Sequence, residues 1–460
     1  MNNTSKRLWK SGWACAMAVV LVDFSGCGRP PAGSAHANGP AREIVARAFQ
    51  SPISFSSHTY NALSAASDGR IYYVLSSNRL DTGGQMYAYD PRTDKIARLG
   101  DLTEAVGEKG LKAVPPGKSQ VPFWEFQGKL YCATHAGYSN IRDGREVMAE
   151  LPSPGYTPYP GGHFVAFDMA SGKFSELAKG PAGQGILTMA MDSRRGRLYG
   201  ITWPNGYFLR YDLASRELKN LGAISSDGEA GSGTTYRALC RAMVADPGDG
   251  SVYLTTSDGR ILRYRFDRDA LETVSGDDLK KDYFGTYDPA TPGHMGYNWR
   301  QAVWYAPEKA IYAVHGNSGY LFRFDPSRSQ VDVLDRITSE PSKRSGMFDK
   351  FYYGYLGLAL GPDGRTLYYL TGGPMIVDGR RVISRSVARL GAKGEEDLHL
   401  VTYEIPTGIY RDHGAVFYPD GGRPSYVNSI AVGGDGSVYA LANMTSQGKE
   451  RTDLIRIRIE

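Results

Sequence analysis

The 460 residues carry 53 basic and 48 acidic side chains, a formal net charge of +5. That balance permits acidic partners without demanding them, and no basic run of the kind that tracks nucleic acid is present. Aromatic residues make up 12% of the chain, with 31 Tyr among them, beside 56 Gly, a mix that suits short strands and tight turns better than helices.

In chain order, the first segment reads as a targeting sequence. Lys6, Arg7 and Lys10 form a basic region, Trp13 to Val22 a short apolar core, and small residues follow. Phe24-Ser25-Gly26-Cys27 is similar to the lipobox of bacterial lipoproteins, which implies a lipid anchor on Cys27. The competing expectation is simple secretion after cleavage at Ala35-His36-Ala37. Residues 1–27 are thus expected to be signal, 28–42 a flexible tether and 43–460 the folded body. The protein is expected to be exported, as an outer-membrane or periplasmic lipoprotein or as a secreted protein. No later stretch approaches the roughly 20 apolar residues that span a bilayer. Of the four Cys, Cys15 and Cys27 belong to the signal, and Cys132 and Cys240 are expected as buried free thiols.

The body is repetitive. A hydrophobic strand after a Gly, a variable loop and an alternating strand ending in Asp recur along it, as in Leu130 to His135 followed by Gly162 to Asp168. The first unit turns at Asp68-Gly69 and ends near Gly100. The second runs from Val121 to Leu177, the third from Leu187 to about Leu221, and the fourth from Arg241 to about Val274. A fifth opens at Arg300, a sixth near Leu356, and the seventh at Asn428. The seventh runs out of chain after its third strand, so Glu43 to Phe49 is expected to supply the fourth. Seven units of about 55–60 residues with their ends meeting make an all-β, seven-bladed β-propeller. A closed propeller needs no partner, so a monomer is expected. Long loops are expected at 102–120, 139–160, 223–235 and 275–297.

In such a blade the first strand's start, the second strand's end and the third strand's start share one end of the sheet. The third-strand starts are Gln85, His163, Tyr207, Arg260, Tyr320, His399 and Asp453. First-strand starts include Asn61, Leu187, Arg241, Arg300, Leu356 and Asn428. The loops after second strands carry His135, Trp203, Asn205, Asp258, His315, Asn317 and Asn443. Solvation alone makes strand ends polar, yet His135, His163 and His315 converge on this rim, with His399 at a further third-strand start. The richest sector joins His135, His163, Tyr207 and Arg241, with Trp203 beside them. An Arg can hold a carboxylate bidentately and neutralise it, and a His or Tyr can then move protons on the adjacent carbon. Such chemistry ends in an unsaturated uronate. No Gly-x-Ser-x-Gly elbow, phosphate loop, evident carboxylate pair or tight metal-ligand spacing points elsewhere.

The stretches Thr134-His135-Ala136-Gly137-Tyr138, Pro160-Gly161-Gly162-His163 and Trp203-Pro204-Asn205-Gly206-Tyr207 resemble the seven-bladed propeller polysaccharide lyases, notably the ulvan lyases. The resemblance implies a secreted enzyme that cleaves uronate-containing sulfated glycans without a catalytic metal, so no cofactor is expected. It implies His135 and His163 as the catalytic histidines, Tyr207 as the acid–base phenol and Arg241 as the carboxylate neutraliser. Tyr236 and Arg237 stand in reserve for the last two roles. Asn61, Trp203, Asn205, Arg300, His315, Tyr320 and Asn428 are the expected substrate-binding residues. The expected partner is an acidic polysaccharide or oligosaccharide. Two other readings compete: a non-catalytic propeller that binds glycan or protein through the same rim, and a metal-dependent lyase of pectic fragments.

Overall fold

The computed structural model describes residues 44–53, 56–57, 59–142, 145–148, 155–225, 228–229, 237–282, 295–316, 318–345, 357–374, 376–377, 380–381, 396–424, 427, 429–446 and 449–459. The expected signal and tether lie outside them, as do Tyr236, Asn317, Leu356 and Asn428. All belong to one compact unit, Ser34–Glu460.

The regular structure of the described residues is almost entirely β, with only the short helices Leu102–Ala105 and Glu340–Ser345 and the 3-10 turn Ala306–Glu308 beside the strands. Sheet one orders Leu63–Ala65, Ile71–Ser77, Gln85–Asp90 and Lys95–Asp101, with Ser56–Ser57 added beside Ile71–Ser77. Sheet two holds Trp124–Phe126, Lys129–Ala133, His163–Asp168 and Lys173–Lys179. Sheet three holds Gly185–Asp192, Arg197–Trp203, Tyr207–Asp212 and Leu218–Ala223. Sheets four (Val244–Ala245 to Ala270–Thr273) and five (Trp299–Tyr305 to Gln330–Arg336) repeat the pattern. Two small hairpins, Ser139–Arg142 with Arg145–Met148 and Ile376–Val377 with Arg380–Arg381, stand apart, and the other strands join in one eight-stranded sheet that incorporates the N-terminal strand. Ile44–Phe49 pairs antiparallel with Lys449–Ile457 and, through Ile44 and Val45, parallel with Val416 and Phe417. The two ends of the body are thereby stitched together, as expected, and the edge of the last strand is covered.

Local chemistry accounts for the repeats. Second and third strands are buried on both faces, as in the seven consecutive buried residues Ile71–Ser77, whereas the outermost strands such as Lys173–Lys179 are largely exposed. The Asp that closes a third strand caps the following turn: Asp168 Oδ1 accepts the N–H groups of Ala170 and Ser171, and Asp212 Oδ1 those of Ala214 and Ser215. Those Asp residues are therefore structural punctuation.

Tyrosine and phenylalanine weld each sheet to the next. Tyr72 meets Phe167 with ring centroids 6.2 Å apart, Phe164 meets Tyr211 at 6.2 Å, Tyr199 meets Tyr264 at 5.1 Å and Tyr253 meets Phe324 at 5.5 Å. Sheet five packs on the eight-stranded sheet through Tyr305, Tyr312, Leu358 and Tyr369. Tyr439 of the eight-stranded sheet returns to Tyr89 of sheet one at 5.9 Å. The arrangement is propeller-like. Its innermost strands surround a cavity of about 600 Å³, lined by seven short segments at 61–65, 120–124, 188–193, 241–247, 301–304, 357–360 and 430–432.

Third strands begin where expected at Gln85, His163, Tyr207 and Tyr320, and one residue after Arg260. The third strands of the eight-stranded sheet start earlier, at Glu396 and Lys449. His399 and Asp453 therefore lie within strands rather than at their starts. Cys132 and Cys240 are buried free thiols, as expected, and burial pushes the Cys132 thiol up to about 12.

Candidate functional site

Arg241, Asn61 and Gln301 line the central cavity, each near the start of an innermost strand. Asn61, in the left-handed region with φ +44°, accepts a hydrogen bond from Gln301 Nε2 at 3.1 Å. One partner belongs to the segment leading into sheet one and the other to sheet five, so this bond spans the channel. Gln301 carried no signal in the sequence beyond lying next to Arg300.

Arg241 does not present an open fork. Its Nη1 and Nη2 each donate to a Glu229 carboxylate oxygen at 2.6 Å, and Nη1 also donates to the Leu239 carbonyl at 2.9 Å. Glu229 is fixed in turn: its carboxylate accepts the Leu239 N–H at 2.8 Å, and its own N–H donates to the Pro204 carbonyl at 2.7 Å. The Trp203–Tyr207 turn of sheet three and the Arg241 segment leading into sheet four are therefore joined through one glutamate. Sequence reasoning missed Glu229 because it sits in a loop with no repeat register.

His135 is 1% exposed and lies against Trp203, with ring centroids 5.3 Å apart. The reason is local. Gly185 forms a rung with Trp203, and a Cβ on Gly185 would come within 2.6 Å of the His135 ring, so only glycine admits the imidazole there. His135 Nδ1 lies 3.1 Å from the Ala136 carbonyl. Tyr207 is half-buried, and its hydroxyl accepts from Asn205 Nδ2 at 3.3 Å. His135, Trp203, Asn205, Tyr207 and Arg241 thus form one continuous chain of contacts through Pro204 and Glu229.

His163 faces a different set of groups. Its ring, 1% exposed, has Glu176 Oε1 at 2.8 Å from Nδ1 and Glu108 Oε1 at 3.1 Å from Nε2. Lys179 Nζ donates to the same Glu108 oxygen at 2.7 Å. Burial opposes ionisation of Glu108, but the hydrogen bonds from His163 and Lys179 prevail and hold its carboxyl below the usual carboxylate range. Both ring nitrogens of His163 are therefore engaged by carboxylates. Glu108, Glu176 and Lys179 were not foreseen. Glu108 comes from the 102–120 insertion, and Glu176 and Lys179 from the outermost strand, where charged residues read as solvated.

The other expected binding residues scatter. His315, 1% exposed, has Ser318 Oγ at 2.8 Å from Nδ1 and the Gly296 carbonyl at 3.0 Å from Nε2. Arg300 is buried and Tyr320 half-buried in sheet five. The reserve Arg237 is half-buried. Among the described residues, no three His, Cys, Asp or Glu side chains gather as a metal site. No helix among them is long and apolar enough to cross a membrane.

No family model matches the chain, and no curated protein matches it. Among solved structures it is similar to an oligogalacturonate lyase in complex with manganese, at 11% identity over 91% of this chain and 97% of that one, with a TM-score of 0.48. A chain of the mitotic checkpoint complex is similar at 10% identity over 94% and 97%, TM-score 0.49. An auxiliary nutrient binding protein from Bacteroides thetaiotaomicron is similar at 12% identity over 88% and 70%, TM-score 0.41. At these scores the likeness assigns no residue and no activity.

Proposed function

We propose that the chain is an exported, seven-bladed β-propeller that cleaves a uronate-containing polysaccharide, sulfated glycans included, by β-elimination. The seven-blade count treats the eight-stranded sheet as two four-stranded blades joined by the short parallel contact of Ile44 and Val45. The seven segments around the central cavity support that reading. The observation that carries the function is the contiguity of His135, Trp203, Tyr207 and Arg241 through Pro204 and Glu229.

In this reading Arg241 receives the uronate carboxylate and lowers the cost of charge that develops when the neighbouring proton leaves. Tyr207 and His135 supply proton transfer, and Trp203 and Asn205 shape the wall on which the sugar lies. His163, engaged on both nitrogens, is assigned to holding sheet two against the 102–120 insertion. Asn61, which lines the cavity with Arg241, and Arg300, His315, Tyr320 and Asn428 remain as further contacts of a polymeric substrate in this reading. An anchor on Cys27, or secretion after residue 37, puts the protein outside the cytoplasm, and closure of the propeller leaves it no need of a partner, so it acts as a monomer. Incubation with a panel of uronate polymers, followed by ultraviolet absorbance of the new double bond, tests the proposal. No absorbance with any polymer sinks it.

The second reading is a non-catalytic propeller that binds acidic glycan through the same face. The internal pairing of Arg241, His163 and His315 favours it, because groups already satisfied are poor candidates for chemistry. Glycan binding without turnover, lost in Trp203→Ala but kept in His135→Ala, distinguishes it.

A further inference from the structure

The Arg241 fork is filled by a carboxylate of the chain itself, in the two-point geometry that a uronate carboxylate would take. The segment that delivers this carboxylate is laid tightly on the Trp203–Tyr207 turn. Gly228, at φ +58°, has no room for a side chain: a Cβ there would lie 2.4 Å from the Pro204 carbonyl oxygen and 2.9 Å from Asn205 Cα. One residue on, the Glu229 N–H donates to the Pro204 carbonyl, and the carboxylate is steadied by the Leu239 N–H. Glu229 is thus positioned by backbone on both sides, and it is mostly buried, with a side-chain exposure of 10% against 17% for Arg241.

We propose that Glu229 is a built-in competitor for carboxylate ligands at Arg241 and so sets the specificity of this face. The inference rests on the reading of Arg241 as a uronate site. The Nη1/Nη2 face of the guanidinium takes one carboxylate at a time, so a ligand carboxylate that binds at that face exchanges with Glu229. A neutral sugar gains nothing from that exchange, because it would leave a partly buried Glu229 and Arg241 apart without replacing their ion pair. The glutamate therefore excludes neutral glycans and weakens binding of acidic ones to the level at which release stays possible. Exchange frees the Glu229 side chain to turn away from Arg241.

The test is calorimetric titration of the purified protein with D-galacturonate and D-glucuronate, with D-galactose as the neutral control. Glu229→Gln keeps the shape and an oxygen for the Leu239 N–H but removes the competing charge. It is expected to tighten binding of at least one uronate by about tenfold and to leave galactose unbound. Gly228→Ala, whose added Cβ collides with the Pro204 carbonyl and lifts residues 228–229 off it while retaining Glu229, is expected to shift uronate binding in the same direction. Glu229→Gln/Arg241→Gln is expected to abolish it. Uronate binding that is unchanged or weaker in Glu229→Gln, with Arg241 still required, overturns the competitor role and leaves the uronate site standing. Uronate binding that survives Arg241→Gln, or no uronate binding in any variant, overturns both.

Discussion

His163 Nε2 and Glu108 Oε1 lie 3.1 Å apart, both side chains more than nine-tenths buried, and they tie the third strand of sheet two to the insertion that follows sheet one. Lys179 completes the cluster from the same side of Glu108. Glu108→Gln takes the carboxylate from the half-exposed Lys179 and one of two carboxylates from the buried His163, which keeps Glu176, so it is expected to cost about 2 kcal/mol of stability. Urea denaturation at neutral pH checks it. The pH dependence has a definite sign. The Glu108 carboxyl is depressed in the fold, so its contribution is fully present above about pH 4.3, the ordinary glutamate value. It is lost as pH falls through the lower folded value. The gap between wild type and Glu108→Gln should therefore close in acid, and a gap that widens there contradicts the assignment.

His413 supplies a second contribution that is lost in acid. Burial, with Arg411 adding to it, pushes its imidazole down to about 4, and Nε2 lies 2.8 Å from Thr402 Oγ1. Between about pH 6.5 and 4 the unfolded chain binds a proton that the folded chain does not. Stability should fall as pH drops through that window, by at most about 3 kcal/mol from this residue. His413→Gln is expected to flatten the profile there. An equally steep profile in the variant would show that other groups carry it.

Gly137 belongs to the Thr134–Tyr138 stretch that suggested a family, and the fold assigns it a packing role. A Cβ on Gly137 would sit 2.2 Å from the Ser77 carbonyl oxygen and 2.4 Å from Gly117 Cα, so two glycine backbones and a carbonyl meet where no side chain fits. Gly137→Ala is expected to destabilise by about 2–3 kcal/mol. Gly434→Ala, whose Cβ would meet nothing within 4 Å, should change stability by no more than about 0.5 kcal/mol. Equal melting temperatures for the two variants would refute the close approach.

Tyr207 separates chemistry from architecture. Its hydroxyl takes a long 3.3 Å bond from the exposed Asn205 side chain, so Tyr207→Phe should leave the melting temperature unchanged. On the lyase reading the same change lowers kcat by about 100-fold or more. Trp203→Ala, by contrast, removes a side chain that is 4% exposed and supports His135, at a cost of about 3 kcal/mol. A Tyr207→Phe enzyme with full activity would remove the phenol from the mechanism.

Repeat units, strand order and the terminal closure were legible from residues alone because their causes are local. Two-residue alternation, Gly turns and Asp caps act within a few positions, as Asp168 does for Ala170 and Ser171. The sequence put His135, Trp203, Tyr207 and Arg241 at matched strand ends of successive repeats, and the contacts between them run through Pro204 and Glu229, which lie outside the repeat register. Orientation was another matter. Whether His163 turns toward Tyr207 or toward a carboxylate depends on a residue 55 positions away, and the partner of Asn61 lies 240 positions away. Repeat periodicity says where a side chain begins, whereas the charges and backbone carbonyls that meet it across sheets and insertions decide what it is able to do. Glu229 on Arg241 and Glu108 on His163 were set by tertiary packing, because burying an ionic side chain is tolerable only where the folded chain brings it a partner.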